Sequence, residues 1–521
     1  MSRQQTLLCQ CPPIRLRLRL GGDGSRLHNE DVIPAELTEA EQLLWKAFPR
    51  GAWVDLGGSG TGTLPVIRAE VISSLLLGAA TAEPGMAAGI RLRGATVAGP
   101  LELLGGTVAW PLVCEGCLFD SEVVLVDSSV RTVRILDSEL PAFDGTRLRL
   151  DGILDLTGSR IEGCVRLEHA KVSGLLRMRA SRAGAGTDAV TATGLSVDGE
   201  IDCSHMEAHG RVSFQGTAVG GTLDLTGARL VSPGRRGLVL SYATIGGKLE
   251  CRDLAVDGET RAANCRVSAA LIMSGARLEN PAGAAFFAGG LDVGGGAFFD
   301  KGFSARGEFR LIGAHLAANL TMEGGTFGNP GGVAVNLDRA VTGSVRGESL
   351  TCHGQFSMVG ARIGGDVVLM RAVAESGAAT CVLNAERAQV DGTLVLREAK
   401  MLGEVNLRSI RVGERLLLQR AELRNPSHTA CRLSRAQVAS DVFCDQMTTD
   451  GRLRLAGALI GGTITLHGAT LANEAGLALD AANLQVRELN MGAAVLIEGG
   501  VDLANATIEV LRDNPAAWPD P

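Results

Sequence analysis

The chain has 521 residues, 45% of them hydrophobic, which excludes general disorder, and no apolar run approaches the roughly 18–20 residues that span a bilayer. A formal net charge of −7 is mild for this length and argues against a general nucleic-acid binder. Sixty-nine Gly beside 13 Phe, 4 Trp and a single Tyr are unlike a set of ordinary mixed domains, so length alone misleads about domain count.

Residues 1–34 read as an extended segment. Arg15 to Leu20 alternates Arg with Leu, and residues 1–29 lack the continuous apolar stretch of a secretory signal. A cytoplasmic location is therefore expected. Twelve Cys in so long a chain are sparse and irregularly spaced, and they are expected to be reduced.

Residues 35–80 read as a helical N-terminal cap. Thr38-Glu39-Ala40-Glu41 is a capping box; Leu43, Leu44, Ala47 and Phe48 follow at helical spacing, and Pro49 and Gly51 stop the helix. A second helix is expected from Pro65 to Leu77, with Ile67, Val71 and Leu75 on one face and Gly78 at its end. Between the two, Gly57, Gly58, Gly60 and Gly62 follow the strand-like AWVDL. Glycines let a backbone approach phosphate at a helix N-terminus, but the spacing is GxGxG rather than GxGxxG, with no GK[ST] and no acidic ribose partner. A flexible linker is the simpler reading and a phosphate or cofactor site the alternative; no cofactor is expected.

Residues 81–512 read as repeats. One 11-residue phrase recurs: Gly221 opens GTLDLTGARL, Gly354 opens GQFSMVGARI, Gly392 opens GTLVLREAKM and Gly462 opens GTITLHGATL. Successive phrases often abut, as at Gly152, Gly163 and Gly174. A longer period of about 48 residues lies over this one, marked by SPGRRGLVL at 232, NPAGAAFF at 280, NPGGVAV at 329, ESGAATCVL at 375, NPSHTACRL at 425 and NEAGLAL at 473. Asn-Pro and Gly are turn chemistry, so these insertions should leave one edge of the body at regular intervals.

Apolar residues within a phrase sit two apart, as Leu223 with Leu225, which is the period of a strand with one buried face. Every phrase has the same polarity and none ends in a two-residue hairpin turn, so coiling is the remaining solution. Two phrases make a coil of about 22 residues, and the crossover rule makes it right-handed. The expected fold is all-β, a right-handed parallel β-helix of some 16–19 coils on the order of 80–90 Å long, behind the small helical cap. Trp45, Trp53, Trp110 and Trp518 fall near the two ends, as a narrow interior without room for an indole requires. Residues 513–521, ending NPAAWPDP, form a C-terminal tail.

The apolar centre recurring every five residues, at Leu225 and Leu230 or Leu240 and Ile245, resembles the pentapeptide-repeat-like β-helix proteins. Steps of 11 and loops every 48 depart from strict fives, which leaves three-sided and four-sided coils both open. IRAEVISSLLLG near 67 followed by GFSARGEFRLIGAHL at 302 is similar to a group of bacterial repeat chains often labelled membrane-associated oxidoreductases. That resemblance covers about residues 35–510 and implies the architecture; it brings no motif that carries the enzyme label.

Candidate chemistry is sparse. Cys114-Glu115-Gly116-Cys117 is a lone CxxC with no second pair to complete a zinc site, and in Cys203, His205 and His209 the cysteine takes an inward Leu-like slot. No metal site and no catalytic residue are expected; GxSxG, HRD and HExxH are absent. One outward stripe is basic at Arg229, Arg277, His315, Arg362, Lys400 and Arg411, which offers a surface for an anionic partner. The stripe splits between two rows, which favours a solvated face. The function expected is a non-catalytic scaffold or macromolecule-binding module with a protein partner; the alternatives are an enzyme at the cap–solenoid junction and an anion binder on the basic stripe. Nucleic acid is disfavoured, no transmembrane segment is expected, and peripheral contact with a membrane stays open.

Overall fold

The computed structural model describes residues 37–57, 64–184, 186–376, 381–512, 515 and 518. The extended segment expected over 1–34, most of the tail over 513–521, and Gly58, Gly60 and Gly62 lie outside them. The unit from Leu37 to Pro521 is a parallel β-solenoid of about 19 coils, 5% helical. Two short helices near its start carry the helical content.

Helix α1 (Glu39–Ala47) is set by the capping box: the Glu41 N–H donates to the Thr38 hydroxyl, and the Thr38 N–H donates to the Glu41 carboxylate. Leu44 and Phe48 bury its inner face. Strand β1 (Val54–Asp55) then enters the first coil. The helix expected from Pro65 begins instead as strand β2 (Val66–Arg68); α2 runs from Ala69 to Ser74 and continues as a π-helical turn over Leu75–Ala79, with Gly78 at φ +102° near the end expected for it. Edge pairing overrides helix propensity here. β3 (Ile90–Arg93) lies beside β1, and β4 (Thr96–Ala98) beside β2, with the Thr96 N–H donating to Pro65 O at 2.9 Å. The ladders therefore start within residues 35–80.

Each coil has four short strands. Arg149–Leu150, Leu154–Asp155, Arg160–Ile161 and Val165–Arg166 make one coil, and they pair in register with Lys171–Val172, Leu176–Arg177, Arg182–Ala183 and Asp188–Thr191 of the next. Four ladders result, numbered first to fourth in that order, and the coil is four-sided. All pairing is parallel and successive coils rise by about 4.8 Å. The first two ladders form a sheet of 35 strands and the other two a sheet of 27.

The inward residues explain the phrase. Leu223, Leu225, Ala228 and Leu230 are all buried. Gly227 between them has φ +65°, the left-handed corner of every phrase. Where Gly is missing, Asp, Asn, Arg, His and Ser most often take the corner, with Ala180, Tyr242, Lys301, Glu398 and Gln446 among the others, and among the described residues no β-branched residue does. The interior takes no indole, but it takes five packed phenylalanines: Phe286, Phe299, Phe303, Phe309 and Phe327, with ring centroids 4.7–5.8 Å apart.

The long period has a simple cause. Arg411 pairs with Gln437 and Gln437 with Leu459, steps of 26 and 22 residues, so one 48-residue unit is a long coil and a short one. The extra residues bulge from the corner between the third and fourth ladders. In these bulges Asn280, Asn329, Asn425 and Asn473 each donate a side-chain N–H to the carbonyl four residues on, at 2.7–2.9 Å. The short coil makes room for its neighbour's bulge with a glycine. At Gly354, with φ +130°, a Cβ would come within 2.5 Å of Asn329 O.

Candidate functional site

A recess with a volume of about 700 Å³ lies on the outer side of the first ladder over the last coils. Outward side chains of the ladder strands form one wall: Gln389, Arg411, Gln437, Leu459 and Gln485, one per coil in unbroken register. Two residues on, the same face carries Asp391, Gly413, Ala439, Gly461 and Arg487. The two glycines are small for a steric reason. A Cβ at Gly413 would lie 2.1 Å from Asp391 O, and one at Gly461 would lie 2.3 Å from Ala439 O. Close stacking of the corners thus forbids a Cβ at Gly413 and Gly461, and with only the methyl of Ala439 between them the floor is mostly backbone beside long polar side chains.

The electrostatics of this trough are balanced. Asp391 accepts from Gln389 Nε2 at 2.8 Å at one end, and Arg487 and Glu509 close the other, with Arg411 between. Two acids and two bases leave amide groups as the main recognition chemistry. Gln side chains both donate and accept, so the trough presents amide donors and acceptors along the coil axis. Leu459, 41% exposed, adds one apolar contact point.

The structure places the six basic residues on two faces. Arg229, Arg277 and Lys400 stand in the third ladder, where Ala255 separates the first two and Ser304, Thr326, Thr351 and Val373 separate the second from Lys400. His315, Arg362 and Arg411 stand in the first ladder, alternating with Val341 and Gln389. His315 Nδ1 lies 3.2 Å from Asp292, and Lys400 Nζ lies 3.4 Å from Glu422. Of the six, Arg411 alone lines the trough. The residues that complete it, Gln389, Gln437 and Gln485, are 48 apart and recur in AQV, AQV and LQV. That periodic signal was present in the sequence, in the same slot as the basic stripe.

At the cap–solenoid junction, only Gly57 of the four glycines is described. Its N–H donates to Asp55 Oδ1 at 3.1 Å, and its Cα and N would lie 2.7 Å from a Cβ on Gly94. Asp55 also meets Arg93, which bridges to Glu115 at 2.8 Å and stacks on Trp53 at 4.9 Å. A carboxylate holds the N–H that a phosphate would need, and the close approach of the two coils requires the glycine at Gly94, whereas a Cβ on Gly57 would meet only ordinary contacts at 3.5 Å or more. Beneath the junction, the Glu41 carboxylate is fully buried and receives Arg68 Nε at 2.8 Å, Arg68 Nη2 at 2.8 Å and the Arg68 N–H at 3.0 Å. The Arg68 guanidinium, with the Thr38 N–H, holds the Glu41 pKa down at about 2.

Cys203 is buried in its inward slot, His205 occupies a left-handed corner at φ +56°, and His209 faces outward. Among the described residues no group of three or more His, Cys, Asp or Glu could hold a metal ion, and no helix is long and apolar enough to cross a membrane. No family model matches the chain, and no curated protein matches it.

Proposed function

We propose that the protein is a non-catalytic scaffold that binds an extended segment of a protein partner along the first ladder. The observation that carries this reading is the trough, whose glutamines recur with the 48-residue period over a floor of Gly413, Ala439 and Gly461. Gln389, Gln437 and Gln485 are about 10 Å apart at two coils per step, which is close to three residues of an extended chain. A partner running along the axis would meet an amide at regular intervals, and a rigid parallel ladder holds those amides at fixed spacing without an ordering cost on binding.

The test uses the full-length protein as bait, beside a variant carrying Gln389→Ala, Gln437→Ala and Gln485→Ala together. These side chains point outward, so the fold is expected to be unchanged by circular dichroism. Partners retained by the wild type and lost by the triple variant are expected. The same set retained by both would rule out the trough as the binding surface.

A further inference from the structure

Cys114 and Cys117 occupy two inward slots that meet across the corner between the second and third ladders. Cys114 stacks in register between Leu92 and Ile135, and the Cys117 N–H donates to Ser138 Oγ at 3.0 Å in the coil above. Their exposures are 0% and 2%, the two sulfurs interact directly, and Cys117 Sγ also approaches Glu115 O at 3.5 Å and Leu92 O at 3.9 Å. The same two slots hold Cys203 with Met206, Cys251 with Leu254 and Cys444 with Met447, one sulfhydryl per corner. Only at 114 and 117, among the described residues, do both slots carry a thiol.

Cys117 also differs in acidity from Cys114 and from the other buried cysteines. The hydrogen bond from Cys114 brings Cys117 down to about 7, against the opposing effect of burial, with help from the backbone at Ala95. The same bond and complete burial push Cys114 up. Burial raises Cys203, Cys251, Cys431 and Cys444. Gly116, between the pair, is exposed and bears no side chain, and hydrogen peroxide needs little more room than water.

We propose that Cys114 and Cys117 are a redox modification site, at which a hydroperoxide closes the pair to a disulfide inside the third coil. The Cys117 thiolate attacks the hydroperoxide; an S–O bond forms, the O–O bond breaks, and the leaving alkoxide takes a proton to become an alcohol, or water when hydrogen peroxide is used. The Cys114 thiol then attacks the sulfenic sulfur. An S–S bond forms, the S–O bond breaks, and hydroxide leaves with the Cys114 proton as water. Two thiols are oxidised by two electrons and one hydroperoxide is reduced; a dithiol reductant reverses the step.

Peptide chemistry makes the test direct, because cleavage after Arg93 and Arg131 yields Gly94–Arg131, which contains Cys114, Cys117 and no other cysteine. The folded full-length protein is treated with hydrogen peroxide, quenched with catalase, denatured, alkylated and digested. The peptide is expected to lose two hydrogens and resist alkylation, and to regain two alkylation sites after dithiothreitol. Cys114→Ser, a near-isosteric change, is expected to trap Cys117 as a sulfenic acid that reacts with dimedone. Met86, 54% exposed, reports through its sulfoxide that peroxide acted. A doubly alkylated wild-type peptide alongside oxidised Met86 would overturn the proposal, as would a dimedone adduct in place of the disulfide in the wild type.

Discussion

Glu41 shows how one residue couples two distant stretches of sequence. Its carboxylate closes the capping box of α1 and also holds both the backbone and the guanidinium of Arg68, so the helix is pinned to strand β2. The capping box was legible in Thr38 and Glu41, whose spacing is local. Arg68 was not, because its role depends on β2 lying beside α1. The folded pKa of about 2 lies below the ordinary 4.5, so the carboxylate's stabilisation is present above pH 4.5 and lost as pH falls toward 2. With Arg68 37% exposed, solvent screening reduces the contribution to about 1–2 kcal/mol. Chemical denaturation followed by Trp45 and Trp53 fluorescence should show stability falling across that interval in the wild type, and Glu41→Gln should flatten that part of the profile. A wild-type profile unchanged between pH 5 and 2.5 would contradict this assignment.

The left-handed corners give a second test at the same scale. Ser409 has φ +54° with a non-glycine residue, whereas Gly360 has φ +62°. Ser409→Gly should stabilise by about 1 kcal/mol, and Gly360→Val should destabilise by about 2 kcal/mol, read by urea titration. Equal effects of the two changes would mean that the corners do not impose the left-handed conformation.

At the scale of elements, the 48-residue unit was legible and its anatomy was not. Turn residues such as Asn280-Pro281 and Asn329-Pro330 announced the insertions, since Asn and Pro act through their own backbone. That the unit is one coil of 26 and one of 22 residues, with four sides each, follows only from pairing between chain segments far apart in sequence. The misread β2 has the same origin: Val66–Arg68 follows a proline and precedes helical periodicity, but β4 offers it backbone partners. Bulges and glycines are matched across coils, so Gly354→Ala should cost about 2 kcal/mol or more and loosen the bulge Asn329–Val333. Hydrogen exchange at residues 329–336 reads it. Exchange unchanged from the wild type would show that the glycine is not there to admit the bulge.

For the coiled unit as a whole, the candidate site was half legible. Sequence reading found the slot, through Arg411 and its basic counterparts, and missed the glutamines because polarity without charge draws no electrostatic argument. The recess itself comes from Gly413 and Gly461, whose small size is dictated by the carbonyls of the preceding coil. Everything in this account rests on the stacking of coils in one register from β1 to Arg512. The first ladder places Arg149 and Gln485 fourteen coils apart, with every intervening pair in parallel register. Spin labels attached there through non-canonical residues, which spares the native cysteines, measure the separation by double electron–electron resonance. Coils stacked in one register give one narrow distribution at ~67 Å, fourteen steps of about 4.8 Å. A broad distribution, or one centred below about 50 Å, would contradict it.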